Sequence, residues 1–294
     1  MFRLGVDFGG TKIEAAVLDG SGRFLARVRA PTPPDYEDRL DATRAVVAEA
    51  ERHAGVTASR IGVGGPGSPN PATGLMRNSN STILNGKPFP ADLERVLGRP
   101  VRYANDANCL ALSEAVDGAA AEARVVFAVI IGTGCGGGIA VDRRPLEGRN
   151  LVAGEWGHTP LPWPKPDEHP GGPCWCGRRG CLELWLSGTG FRNLTGRTAE
   201  EVAVKAGAGD GAALALLDVY ADRLARALGV VVDLIDPDMI VLGGGMSNIA
   251  RLYDVLPHNV ARHVFSDTFD TPIRPALHGD SSGVRGAAWL WPPD

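Results

Sequence analysis

The chain has 294 residues, of which 44% are hydrophobic and 22% charged, the composition of a globular protein and not of a disordered or fibrous one. Its net charge of -4 argues against a nucleic-acid partner, although glycine-loop amides and metal ions can still hold a phosphate locally. No apolar run approaches the roughly 18–20 residues that span a bilayer, and Met1-Phe2-Arg3-Leu4 enters a strand with no charged-then-apolar leader, so a cytoplasmic protein without a membrane partner is expected.

Phe2–Phe8 reads as a strand, Gly9-Gly10-Thr11-Lys12 as a turn and Ile13–Leu18 as a second strand. Asp19-Gly20-Ser21-Gly22 turns the chain into a third strand over Arg23–Arg29, completing a meander. Leu40, Thr43, Val47 and Ala50 then recur in steps of three and four, which predicts a helix. Ile61–Val63 is a short strand expected to break at Gly64-Gly65-Pro66-Gly67. Val125–Ile131 repeats the opening pattern: a strand, the glycine turn Gly132–Gly138, and an extended return over Ile139–Val141. The two turns lie about 125 residues apart, so two related lobes are the economical explanation. Leu214, Leu217, Ala221, Leu224, Leu228, Val231 and Ile235 mark a long one-faced helix ended by Asp236-Pro237-Asp238. Met239–Leu242 is a strand running into Gly243-Gly244-Gly245, and Gly283–Trp291 a closing helix that returns to the first lobe. The expected division is 1–117 with the closing helix 281–294, against 118–280. The proline-rich stretch from Pro160 to Pro173 is expected to be a mobile loop.

Phosphate binding needs several backbone N–H groups aimed at one point with no side chain in the way. Gly9 and Gly10 in the first turn supply that, as do Gly132, Gly134, Gly136, Gly137 and Gly138 in the second, with Gly243, Gly244 and Gly245 as a third cluster. Thr11 and Thr133 add hydroxyl donors, Asp7 is placed to hold Mg2+ through water, and Lys12 offsets charge. Glycine turns also serve tight hairpins with no ligand at all. Neither turn fits the strand-to-helix phosphate loop or the dinucleotide fingerprint, because strand-like sequence follows each.

Arg102–Asn108 joins a short strand to the helix-like Cys109–Ala115, which puts Asp106 at a helix N-terminus. A carboxylate there can take the proton of a sugar hydroxyl attacking a γ-phosphoryl group; it can equally be a helix cap. Of the five cysteines, Cys109 and Cys135 read as buried small hydrophobes. The other three, Cys174, Cys176 and Cys181, fall within eight residues and with His158 form a Cys3His set for a structural Zn2+, leaving no open position for water. His169 is a competing fourth ligand, nearer in sequence. Zinc would pin the loop and place Glu155, His158 and Glu183 beside a polyhydroxylated substrate.

DFGGTK (Asp7–Lys12), ANDAN (Ala104–Asn108), GTGCGGG (Gly132–Gly138), EWGH (Glu155–His158) and CWCGRRGCLE (Cys174–Glu183) together resemble the ROK family of repressors, open reading frames and kinases. EWGHTPLPW, SGTGF, IVLGGGMSN and HGDSSGVRGAAWLWP are similar, more narrowly, to its bacterial fructokinase (manno(fructo)kinase) branch. The resemblance implies an α/β, two-lobed actin/hexokinase-like (ribonuclease H-like) fold with ATP in the interlobe cleft and Mg2+ as its companion. It implies Asp106 as general base and Asn105, Glu155, His158 and Glu183 as sugar ligands, His158 also ligating zinc. Gly65 and Asn80, from the two stretches expected to select the hexose (Gly65–Ser68 and Asn78–Thr82), complete the substrate set. Family members are often dimers, so a homodimer is expected. The expected reaction is D-fructose to fructose 6-phosphate; the alternatives are an N-acetylglucosamine, N-acetylmannosamine or glucose kinase, or a sugar sensor without turnover.

Overall fold

A computed structural model describes residues 2–292. Met1 of the expected first domain, and Pro293 and Asp294 of the closing helix expected over 281–294, lie outside the described residues.

In chain order, β1 (Arg3–Phe8), β2 (Lys12–Leu18) and β3 (Phe24–Pro31) form the meander and lead into α1 (Tyr36–Ala54). β4 (Ile61–Gly65), the small hairpin β5 (Ser68–Pro69) and β6 (Met76–Arg77), α2 (Phe89–Leu97), β7 (Val101–Asn105) and α3 (Asp106–Asp117) follow. Next come β8 (Val125–Ile131), β9 (Cys135–Val141) and β10 (Arg144–Pro145), then α4 (Glu183–Leu186), α5 (Gly188–Thr195), α6 (Ala199–Gly207) and α7 (Gly211–Ile235). β11 (Met239–Gly243), α8 (Arg251–Ala261), β12 (Ile273–Pro275) and α9 (Ser282–Trp289) end the described chain. One sheet has the order β3-β2-β1-β4-β7 and another the order β10-β9-β8-β11-β12. Both place their first strand in the middle, an antiparallel meander on one side and parallel strands on the other.

The chain divides into two compact units: one runs to Ala121 and adds Gly138–Gly154 and the segment from Leu277 onward; the other is Glu122–Gly137 with Glu155–Ala276. In the first unit the period of two along β1 sends Leu4, Val6 and Phe8 into the core with Leu40, Val47, Phe89 and Leu93 from α1 and α2. Burying each such side chain contributes roughly 1.5–3 kcal/mol. Gly5 and Asp7 therefore point to the opposite face, where a β-carbon on Gly5 would come within 2.2 Å of the Val284 carbonyl of α9. β4 alternates in step, with Ile61 and Val63 in the core and Gly62 under α9, whose Ala287 carbonyl a β-carbon there would meet at 1.8 Å. In the second unit β8 and β11 are apolar along their length (Val126, Phe127, Ala128, Val129; Ile240, Val241, Leu242) and fully or almost fully buried, as parallel strands covered on both faces require. α7 starts at Asp210, whose Oδ1 accepts the amides of Ala212 and Ala213 at 2.9 Å, and stops where Asp236 turns left-handed at φ 41°.

Three sequence readings change. β4 does not break at Gly64 but runs through Gly65, because β1 and β7 flank it and supply ladder partners that side chains do not advertise. The second glycine turn is confined to Gly132–Gly134; Gly136, Gly137 and Gly138 belong to β9, which begins at Cys135. The proline-rich stretch is anchored: buried Glu168 bonds Arg223 and Arg226 at 2.8–2.9 Å, and Arg226 also donates to the carbonyls of Pro162 and Trp163 at 2.9 Å. Among the described residues no helix is long and apolar enough to cross a membrane.

Candidate active site and metal centre

In the first unit, strand register assembles the site. Asp7 pairs with Gly64 across β1 and β4, and Gly65 with Asn105 across β4 and β7. Asp7, Gly65, Asn105 and Asp106 thus stand at the carboxyl ends of three adjacent parallel strands, the edge where open α/β sheets bind ligands. Asn105 is the cap of α3, its Oδ1 accepting the Ala107 amide at 2.9 Å. Asp106 is the first helical residue and not the cap, because Asn105 already holds the extended conformation a cap needs, at φ -62° and ψ 150°. Asp106 is exposed, and its Oδ1 also accepts the Ala107 amide, at 2.8 Å.

Asp7 differs from it by burial. Desolvation first, then the neighbouring charges of Asp106 and Glu14, push its carboxyl up to about 6, and Lys12 and Arg29 only partly offset this. A carboxylate held among other carboxylates at a ligand-binding edge suits a hydrated Mg2+, which would relieve that cost. The turn beside it is closed by the Gly9 amide donating to the Lys12 carbonyl at 3.0 Å and by Thr32, whose hydroxyl donates to the Gly9 carbonyl at 2.8 Å. Gly10 and Thr11 are exposed, with open space where a β-carbon on Gly10 would sit. Lys12 lies 3.8 Å from Glu14. Asn80 is exposed beside Asn78, a residue at φ 58°; Gly65 is buried, with the Tyr103 hydroxyl 2.8 Å from where a β-carbon would be. Gly138 is committed to packing, since a β-carbon there would meet the Ala107 carbonyl at 2.2 Å.

The second unit holds the other expected residues. Gly132, Thr133 and Gly134 leave the carboxyl end of β8, and β11 pairs beside it, Gly243 opposite Ile130. Gly244, at φ 83°, crosses the end of β8 so closely that a β-carbon would lie 2.7 Å from the Ile131 carbonyl. Gly245 is exposed at the start of the short helical turn that follows. The structure therefore brings the second and third glycine clusters together at one sheet edge. Glu183, the first residue of α4, reaches the same turn: its Oε2 accepts the Cys135 amide at 3.1 Å and would lie 2.8 Å from a β-carbon on Gly134. Burial, then the charge of Glu183, raises the Glu155 carboxyl above its ordinary range.

The donor atoms of His158, Cys174, Cys176 and Cys181 all lie within 4.8 Å of one another. Cys176 and Cys181 sulfurs are 3.7 Å apart, and Cys174 Sγ is 3.6 Å from His158 Nδ1. Tetrahedral zinc, with sulfur at about 2.3 Å and nitrogen at about 2.05 Å, sets these separations at about 3.8 and 3.6 Å. The residues fit the ion, and the histidine that lies with the three cysteines is His158; His169 is not in the cluster. Trp175, between two of these ligands, went unassigned in the sequence reading, yet its Nε1 donates to Glu183 Oε1 at 2.6 Å. An aromatic residue placed between ligand cysteines was the available signal.

Comparison with known proteins accords with this arrangement. The family model described as "ROK family" matches residues 3–293. An N-acetyl-D-glucosamine kinase of Yersinia pseudotuberculosis is 39% identical over 297 aligned positions, covering 97% of each chain. The ROK hexokinase of Thermus thermophilus superposes with a TM-score of 0.86 at 34% identity, over 99% of this chain and 97% of that one. The ROK glucokinase of Streptomyces griseus, solved with glucose and AMPPNP, gives 0.79 at 29% identity over 99% of each. The two-lobed actin/hexokinase-like α/β class is thereby shown. The fructokinase branch is not supported: the curated relative carries a different sugar in its name.

Proposed function

This chain belongs to the ROK family as a sugar kinase, and from that premise we propose that it transfers the γ-phosphoryl group of ATP to N-acetyl-D-glucosamine. The observation that carries the substrate is the 39% identity over 97% of both chains with a kinase named for that sugar. In this reading Asp106 accepts the proton of the attacking hydroxyl, the role a side chain beside a loose phosphoryl-transfer transition state is asked to fill. Gly65, Asn80, Asn105, Glu155, His158 and Glu183 bind the sugar, the acids by accepting hydrogen bonds from its hydroxyls. Thr11, Thr133 and the backbone of Gly9, Gly10, Gly132, Gly134 and Gly244 hold the phosphates. Asp7 would hold Mg2+ through water, Lys12 offsets the remaining charge, and the ion when bound would supply neutralisation of charge on the transferred group. Zinc, held by His158, Cys174, Cys176 and Cys181, is structural.

A coupled ADP-release assay over N-acetylglucosamine, N-acetylmannosamine, glucose, mannose and fructose tests it, with the highest kcat/KM expected on N-acetylglucosamine. A higher value on fructose would restore the fructokinase reading, and ADP release with none of them would make the chain a sensor. Glucose is the second reading, favoured by the likeness to a glucokinase solved with that sugar.

A further inference from the structure

Trp175 is 59% exposed, yet two contacts fix it. Its Nε1–H donates to Glu183 Oε1 at 2.6 Å, and its ring meets the His158 imidazole edge to face, centroids 4.9 Å apart at 89°. Glu183 Oε2 is held independently by the Cys135 amide at 3.1 Å. Both oxygens of one carboxylate are thus gripped, one from the end of the glycine turn and one from inside the zinc knuckle.

A glutamate side chain has three rotatable bonds, and freezing them when a ligand arrives costs affinity. A carboxylate whose plane is fixed beforehand avoids that cost and keeps lone pairs on each oxygen for sugar hydroxyls. The Cys135 amide alone leaves the group free to swing about Oε2; the indole N–H removes that freedom. The indole is itself held by its own position between Cys174 and Cys176 and by the ligand His158 beneath it. We propose that Trp175 is a positioning residue that transmits the geometry of the Cys3His centre to the sugar-binding carboxylate of Glu183. The inference rests on the reading of Glu183 as a sugar ligand.

Trp175→Phe keeps an aromatic ring beside His158 and removes the N–H donor together with part of the ring system. Metal analysis should still find one zinc per chain, and calorimetry without ATP should show N-acetylglucosamine affinity falling roughly ten-fold, the usual effect of losing a hydrogen bond to a charged group. Sugar KM rises in parallel while kcat and the KM for ATP stay within about two-fold, a split that general destabilisation does not produce. Glu183→Gln, measured alongside, weakens sugar binding further, and the double variant binds no worse than Glu183→Gln alone, as expected if Trp175 acts through that carboxylate. Unchanged sugar affinity in Trp175→Phe with Glu183→Gln impaired, additive losses in the double variant, or loss of zinc from Trp175→Phe each overturn the inference alone. Unchanged affinity in Glu183→Gln overturns the reading beneath it.

Discussion

The two glycine turns stand at equivalent places in sheets of the same strand order, yet they are built differently. The turn after β1 is flanked by charge, with Asp7 before it and Lys12 after it, and the Thr32 hydroxyl, from beyond β3, braces its Gly9 carbonyl. The turn after β8 has no charged residue of its own; it is closed by the Gly132 amide donating to the Gly134 carbonyl at 3.0 Å and flanked by Gly244 across the end of β8 and by Glu183 on the Cys135 amide. Gly10 has room to spare, whereas Gly134 has none. Shared topology therefore supplies two edges with backbone amides, and the side chains around them divide the work. In the proposed reading, ion handling falls to the first and the sugar-binding acids Glu155 and Glu183 to the second.

The sharpest way to break that division is Asp106→Asn. We expect kcat to fall by about 10²–10⁴ while the melting temperature holds, since a base is lost and little volume changes. Near-normal turnover would reduce Asp106 to a helix-end residue. Next in size is the metal centre: Cys176→Ser, or stripping by a strong chelator, should abolish zinc binding and lower thermal stability and sugar affinity together. ATP affinity unaffected by either change would keep zinc on the sugar side of the comparison.

Asp7→Asn should separate stability from function. The folded carboxyl titrates near 6 against an ordinary 3.8, so the charged form is penalised in the folded state. The penalty is absent below about pH 4, grows as pH rises between the two values, and is complete above about 6, where it reaches about 3 kcal/mol at most. The variant should be more stable than the parent at pH 7.5, equal to it near pH 4, and unable to use Mg·ATP. For the parent, kcat/KM for ATP should drop as pH falls through about 6. A variant less stable at pH 7.5 would mean that Asp7 holds the fold and not the ion.

The smallest effects compare the turns directly. Gly134→Ala puts a β-carbon 2.8 Å from Glu183 Oε2 and should raise sugar KM; Gly10→Ala meets nothing within 4 Å and should leave stability unchanged while raising the KM for ATP. Matching kinetic profiles would merge the two turns into one function.

What could be read in advance was local. The first hairpin, the long α7 and the cluster of Cys174, Cys176 and Cys181 announce themselves through spacing that needs no partner elsewhere in the chain, whereas the histidine that joins those cysteines had to be seen in the structure. What could not be read depended on distant residues. β4 extends through Gly65 because β1 and β7 lie beside it, and the Pro160–Pro173 stretch is fastened by Arg223 and Arg226 from α7. The cap fell to Asn105 because its backbone is extended, whereas sequence does not rank two neighbouring side chains that can each accept the Ala107 amide. The hexose could not be read for a related reason: motifs such as GTGCGGG and EWGH describe a glycine turn and a candidate metal donor, and neither says which sugar is bound.

α9 lies on β1 and β4 through positions where no side chain fits, its own Gly286 lying under the Cys109 carbonyl, 1.8 Å from where a β-carbon would be. The face it covers belongs to strands made among the earliest residues, whereas α9 itself is among the last to be synthesised. On a translating ribosome the opening sheet must wait, one side bare, through production of the entire second unit. The nascent chain is thus most in need of chaperone protection in the sheet that waits for α9, and the arrival of that helix, more than emergence of the sheet, completes the first unit.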